Sequence, residues 1–205
     1  MSEDAGRYAW SPAQLRQAIW LGYGGRSATA LPTRAFAGEV GVSQRTVQRW
    51  LAGTSRPNPA HAARLRGLLT PPADVLARQA KDRSHLQAQL IAIRSPRGRA
   101  ISAQVRAMGW HEPHRLIHLT HTGYGLNRLM VVILHSVKPA PIPPGWAVTA
   151  AITYENRPLA LIAKHQILEQ VAPWRIAVRA DLLAKGRHEA WLDTAPPIDI
   201  TTLPH

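Results

Sequence analysis

Apolar and polar positions alternate in two different rhythms along the chain, and the change falls near residue 125. Before it, apolar residues recur every three or four positions, the repeat that gathers them on one side of an α-helix. Ser11 and Pro12 suit an N-cap and a first helical position, and Leu15, Ala18 and Ile19 follow at helical spacing, which predicts a first helix over 11–21. Gly22, Gly24, Gly25 and Pro32 then impose a loop. Three short helices are predicted at 34–40, 43–52 and 59–69, separated by Gly41 and by the stretch 53–59, and Pro71 and Pro72 close this unit. Residues 73–94 read as one longer helix, with Val75, Leu76, Leu86, Leu90, Ile91 and Ile93 apolar among charged and glutamine positions. After a Pro, Gly and Arg break at 95–99, two further short helices are placed at 101–108 and 112–119, split near Gly109 and Trp110.

Past Gly123 and Gly125 the apolar runs become short and rich in Val, Ile, Ala and Thr. Those at 129–134, 147–154, 159–163 and 176–180 are bounded by turn-forming residues at 139–145, at 156–158 and at Pro173, and read as strands. The expected organisation is an all-α N-terminal domain over 1–72, a helical connector over 73–99, an α+β domain of antiparallel strands over 100–195, and a loose tail over 196–205.

Within 33–52 each constrained position holds a residue suited to it. Phe36, Val40, Val47, Trp50 and Leu51 supply the faces by which two short helices pack at a steep angle, and the small Ala37 stands where they approach most closely. Gly41 ends the first helix in a tight turn whose positive φ is cheap only for glycine. Val42 plugs the turn, and the Ser43 hydroxyl is placed to accept from the free N–H groups that open the second helix.

This stretch resembles the Cro-like, lambda-repressor-type helix-turn-helix family of phage and bacterial regulators. The similarity continues through Trp50, Leu51, Ala52 and Gly53 to Pro57, which resembles that family's recognition-helix end, glycine stop and loop, and on to 59–69, which resembles its next packing helix. It covers about sixty residues, 11–69, and departs from the family pattern in the loop 22–32, which is longer than the family's link between its first two helices. The resemblance implies an all-α helix-turn-helix domain that binds double-stranded DNA with the second helix in the major groove. Its outward residues Gln44, Arg45, Gln48 and Arg49 would then meet base edges, glutamine pairing with adenine and arginine donating twice to guanine. Arg34, Ser43, Thr46, Thr54, Ser55, Arg56 and Asn58 form the expected phosphate-contacting set, which fixes register without reading sequence.

Residues 100–135 can be drawn as a second helix-turn-helix with a wing, giving the α+β domain a winged-helix-like start, with Arg94, Arg97, Arg99, Arg106 and Arg115 as a second DNA contact. Two residues run against that drawing: Gln104 occupies a position that prefers an apolar side chain, and Arg115 falls where the second helix should point inward. Ordinary domain packing is the alternative. His111, His114, His118 and His121 are spaced three, four and three apart, so on one helix His114, His118 and His121 would share a face able to bind zinc. A polar face meeting phosphate or water accounts for the same spacing, and no metal or other cofactor is expected.

Charge sharpens this picture. The net charge of +13, from 25 Lys and Arg against 12 Asp and Glu, suits a polyanionic partner. Residues 1–72 carry nine basic and three acidic side chains, 73–125 carry eight and three, and 126–205 carry eight and six, so the excess lies in the first 125 residues and the α+β domain has the smaller charge. The absence of cysteine excludes disulfides, thiolate zinc sites and thiol nucleophiles. No apolar run of eighteen residues occurs and the N-terminus is polar and acidic, so no membrane association is expected and the location expected is cytoplasmic and nucleoid-associated. Neither a paired-carboxylate motif nor a phosphate-cradling glycine loop stands out, and no enzymatic activity is expected. The function expected is that of a sequence-specific, repressor-like transcriptional regulator acting as a homodimer on double-stranded DNA. The alternatives are a replication, partition or chromosome-end adaptor using the same contacts, and a DNA-processing enzyme carrying a targeting motif.

Overall fold

The computed structural model of the chain describes residues 10–94, 103–135 and 141–200. Helices occupy its N-terminal part and antiparallel strands enter after residue 113. The chain divides into two compact units, one made of Met1–Pro72 with Pro173–Thr194 and the other of Ala73–Ala172 with Ala195–His205. No helix among the described residues is long and apolar enough to cross a membrane.

The first unit opens with α1 (Pro12–Ala18), where the Ser11 side chain accepts from the Gln14 backbone and the Gln14 side chain accepts from the Ser11 backbone, satisfying two donors at the helix start. A π-helical turn, Ile19–Tyr23, continues it and carries Ile19 and Leu21 into the core. Then come α2 (Thr33–Val40), α3 (Gln44–Ala52) and α4 (Pro59–Leu69). Phe36, Val40, Val47, Trp50, Leu65 and Leu69 are buried among them, so one apolar centre holds α2, α3 and α4 to α1. Asn58 caps α4 by accepting from the His61 N–H at 2.8 Å, with Pro59 in the first turn, where its missing N–H costs nothing.

The segment 173–194 returns to this unit, whereas the sequence reading kept it with the preceding α+β span. It was expected to contain a strand at 176–180. The strand the structure forms there has two residues, β4 (Arg175–Ile176), paired antiparallel with β5 (Ala190–Leu192). The next N–H groups find other acceptors: Ala177 donates to the Leu69 carbonyl and Arg179 to the Leu21 carbonyl, each at 2.9 Å. Val178, between them, donates to the Arg187 carbonyl at 2.9 Å, so the N–H groups of this segment alternate between two sets of acceptors.

In the second unit α5 (Ala73–Arg94) packs on α7 (Arg157–Gln170), and α7 packs on three strands. These are β1 (His114–His121), β2 (Leu126–Ile133) and β3 (Ala147–Tyr154). β1 lies in the middle, antiparallel to both neighbours, in register His114↔Ile133 with β2 and His114↔Tyr154 with β3. A short helix, α6 (Ala103–Ala107), precedes them, and Gly109 stands in the turn that follows it, with φ 63°.

Two expectations are corrected here. The span 112–119, read as a helix, is mostly β1: a four-residue turn at 122–125 folds β2 back onto it, and the ladder from His114 to His121 outweighs the helical spacing of its histidines. The winged-helix-like start therefore does not form. The span 159–163, read as a strand, lies inside α7. Asn156 and Pro158, read as turn punctuation, are its cap and first-turn proline, and the Asn156 side chain accepts from the Leu159 N–H at 3.1 Å. Leu159, Ala160, Ala163, Ile167 and Leu168 are buried at helical spacing, a period that five residues are too few to reveal.

Candidate nucleic-acid interface

The geometry of the first unit is set at one turn. Gly41 ends α2 at φ 76° and ψ 38°, in the left-handed region where a side chain is strained. Its N–H and that of Val42 then reach back to the Gly38 and Ala37 carbonyls at 3.1 and 2.9 Å. Arg64 of α4 fastens the same place, donating from Nη1 to the Val40 carbonyl at 3.1 Å, and a Cβ added to Gly41 would stand 2.5 Å from that nitrogen. Two residues after Gly41, Ser43 caps α3, its hydroxyl accepting from the Thr46 N–H at 3.1 Å. Gly53, at φ 75°, ends α3 as Gly41 ends α2, with the Thr54 N–H returning to the Arg49 carbonyl.

α3 is thus held at both ends and along its inner face. Val47 and Trp50 are buried, the Trp50 ring lies 5.6 Å from the His61 ring of α4, and Arg16 of α1 donates to the Leu51 carbonyl at 2.8 Å. Gln44, Arg45, Gln48, Arg49 and Ala52 are exposed. At about 100° per residue these five fall within about 140° of arc, opposite Val47 and Trp50. The outer face is therefore two amide and two guanidinium side chains on a rigid rod, with no carboxylate on that helix.

The surrounding charge has one sign. Among residues 10–72 there are eight arginines and a single acid, Glu39. Arg34 on α2 and Arg56 beyond α3 are exposed. The other residues of the expected phosphate set are engaged locally: Ser43 and Asn58 cap helices, the Thr54 hydroxyl donates to the Arg49 carbonyl at 3.2 Å, and Thr46 and Ser55 are half-buried. Gln44 also donates its amide to the Thr33 hydroxyl at 3.1 Å, which steers its side chain from the first residue of α2. Arg16 and Arg64 were not singled out from the sequence. Their roles depend on carbonyls 35 and 24 positions away, and nothing local marks such a contact.

The second arginine group falls apart differently. Arg94 is exposed and pairs with Glu155 at 3.4 Å, Arg106 and Arg115 are exposed, and Arg97 and Arg99 lie outside the described residues. With β1 in place of a helix, Arg115 stands on a strand and the second helix-turn-helix does not form.

The zinc candidate is corrected for the same reason. On a strand, residues alternate between faces, so His114 and His118 share one face and His121 takes the other. The His114 Nδ1 contacts the Glu112 carbonyl at 2.8 Å, the His118 Nε2 donates to the Asn127 side-chain carbonyl at 3.2 Å, and His121 stacks on Tyr124 with ring centres 4.1 Å apart. Burial pushes both His114 and His118 below the ordinary imidazole range, against the opposing effect of those hydrogen bonds. Among the described residues no three or more His, Asp or Glu side chains are grouped to hold a metal ion.

Comparison with protein-family models, with curated proteins and with solved structures finds no match to this chain.

Proposed function

We propose that the first unit is a helix-turn-helix reader of double-stranded DNA, with α2 and α3 as its two helices and α3 lying in the major groove. The observation that carries this reading is the outer face of α3, where Gln44, Arg45, Gln48 and Arg49 are exposed while Val47 and Trp50 anchor the opposite side. These side chains offer the paired donors and acceptors that distinguish bases, and a helix fixed at both caps holds them at constant height above a duplex. Arg34 and Arg56 supply exposed cations for phosphates on either side. At the level of the cell we read the protein as a repressor-like transcriptional regulator of phage or bacterial type.

Selection of bound sites from random duplexes tests the DNA reading. A preferred sequence is expected, and Arg45→Ala should weaken binding to it by about 1–3 kcal/mol while relaxing the preference at one base pair. Equal losses on preferred and random duplexes would show that Arg45 does not read bases. Footprinting then tests the regulatory role, which requires the preferred site to overlap a promoter.

A further inference from the structure

β3 pairs with β1 along one edge, and among the described residues no strand pairs with its other edge. Ala147, Val148, Thr149, Ala151 and Thr153 are exposed, Val148 at 52%. An open edge offers a row of unpaired N–H and C=O groups, and monomeric proteins guard such edges with charged side chains or prolines. β3 has neither. From Pro139 to Tyr154 the sequence contains no Asp, Glu, Lys or Arg, its longest stretch without one, and the prolines all precede the strand. An irregularity between His118 and Leu119 disturbs the pairing near Thr149, after which the run from Ala150 to Tyr154 is regular.

We infer that the open edge of β3 is where a second copy of this chain pairs, strand to strand and antiparallel about a two-fold axis. A row of backbone groups along an open edge is matched by another extended strand. Charge selects which strand. A nucleic acid or a charged peptide finds no counter-charge here, whereas two copies of a chain of net charge +13 must meet at an uncharged patch to escape mutual repulsion. Antiparallel pairing of identical strands is self-complementary, so the same small residues, alanine, threonine and valine, serve both sides without a second sequence. Joined to the proposed DNA reading, on which this consequence rests, the dimer carries two copies of α3 and its site is a pair of related half-sites.

The natural absence of cysteine gives a direct test on the full chain. Single cysteines placed at Thr149, Ala150, Ala151 and Ile152 are oxidised and run without reductant, with a cysteine at the exposed Arg78 of α5 as control. Residues at the two-fold lie about 4.5–5.5 Å apart, within disulfide reach, so one or two of the four positions should cross-link and the control should not. In sedimentation the unmodified chain should be a dimer, Ala151→Glu and Ala151→Lys should each weaken self-association by about tenfold or more, and mixing the two should restore it. A monomer at all concentrations, cross-linking no better than the control, or a dimer indifferent to charge at Ala151 would each overturn the assignment. Monomeric Ala151→Glu that still selects a half-site would leave the DNA reading intact, and a stable β3 dimer without sequence preference would leave the interface intact.

Discussion

Gly41 carries two constraints at once, a positive φ and a closely packed Arg64, and only the first can be deduced from a sequence. Gly41→Val should therefore lower the stability of the first unit by about 1–3 kcal/mol, since a β-branched residue is strained in the left-handed region and also displaces the guanidinium that fastens α2. Urea unfolding checks this, and an unchanged midpoint would mean that the turn relaxes without loss. His118 is a second residue whose environment sets its behaviour. Desolvation lowers its pKa in the folded chain, so below about pH 6.5 the unfolded chain takes up a proton that the folded chain resists, and stability falls as pH drops through that range and levels off above it. His118→Gln should flatten the part of this decline due to His118, leaving that due to His114, which burial also lowers. Thermal unfolding at about pH 5 and about pH 7.5 measures both, and an identical decline in the variant would remove His118 as a cause.

At the scale of elements, caps and glycines were legible and strand partners were not. Ser11, Gly41, Ser43, Gly53 and Pro59 mark helix ends of the first unit because capping is a local interaction that needs only a few neighbouring residues, whereas Asn58, which the sequence reading places in the phosphate set, is found to cap α4. The same chemistry at Asn156 and Pro158 was present in the sequence and was read as a turn, because a short apolar run following it matches strand and helix equally. Asn156 is 2% exposed, and Asn156→Ala should cost about 1–2 kcal/mol of stability in the second unit, together with slower-moving α7 amides becoming faster to exchange with solvent. Hydrogen exchange localised to Arg157–Gln170 checks it, and unaltered protection there would separate the cap from the helix's stability. For β1, the change of rhythm after Gly123 and Gly125 fits a passage from helix to strand as well as a turn between two strands, and the two look alike until the partner's register is known.

For the whole molecule, charge decides more than shape. An α3 that reads bases, as proposed, needs cations nearby to bring it to the duplex, and the exposed Arg34 and Arg56 would serve that purpose. Replacing either by alanine should weaken binding to preferred and random duplexes alike and reduce the slope of log K against log salt concentration by about 1. Binding titrations over a range of salt concentrations test this, and a loss confined to the preferred site would move that arginine from the phosphate set to the base-reading set. Two compact units also allow the proposed DNA surface and the proposed self-pairing surface to be changed separately, since α3 belongs to one and β3 to the other.

Taken alone, the sequence determined where α2, α3 and α4 begin and end, which residues of α3 are turned outward, and where positive charge accumulates; it stopped the first helix at Gly22, which the structure keeps inside the π-helical turn Ile19–Tyr23. Each of these follows from interactions spanning a few residues or from a simple count. Only the tertiary structure decided that 114–121 is a strand, that 157–170 is a helix, that 173–194 returns to the first unit, and that among the described residues no strand pairs with the outer edge of β3. Those outcomes depend on hydrogen-bond partners far away in the chain, and for a short segment that fits two local conformations the distant partner makes the choice.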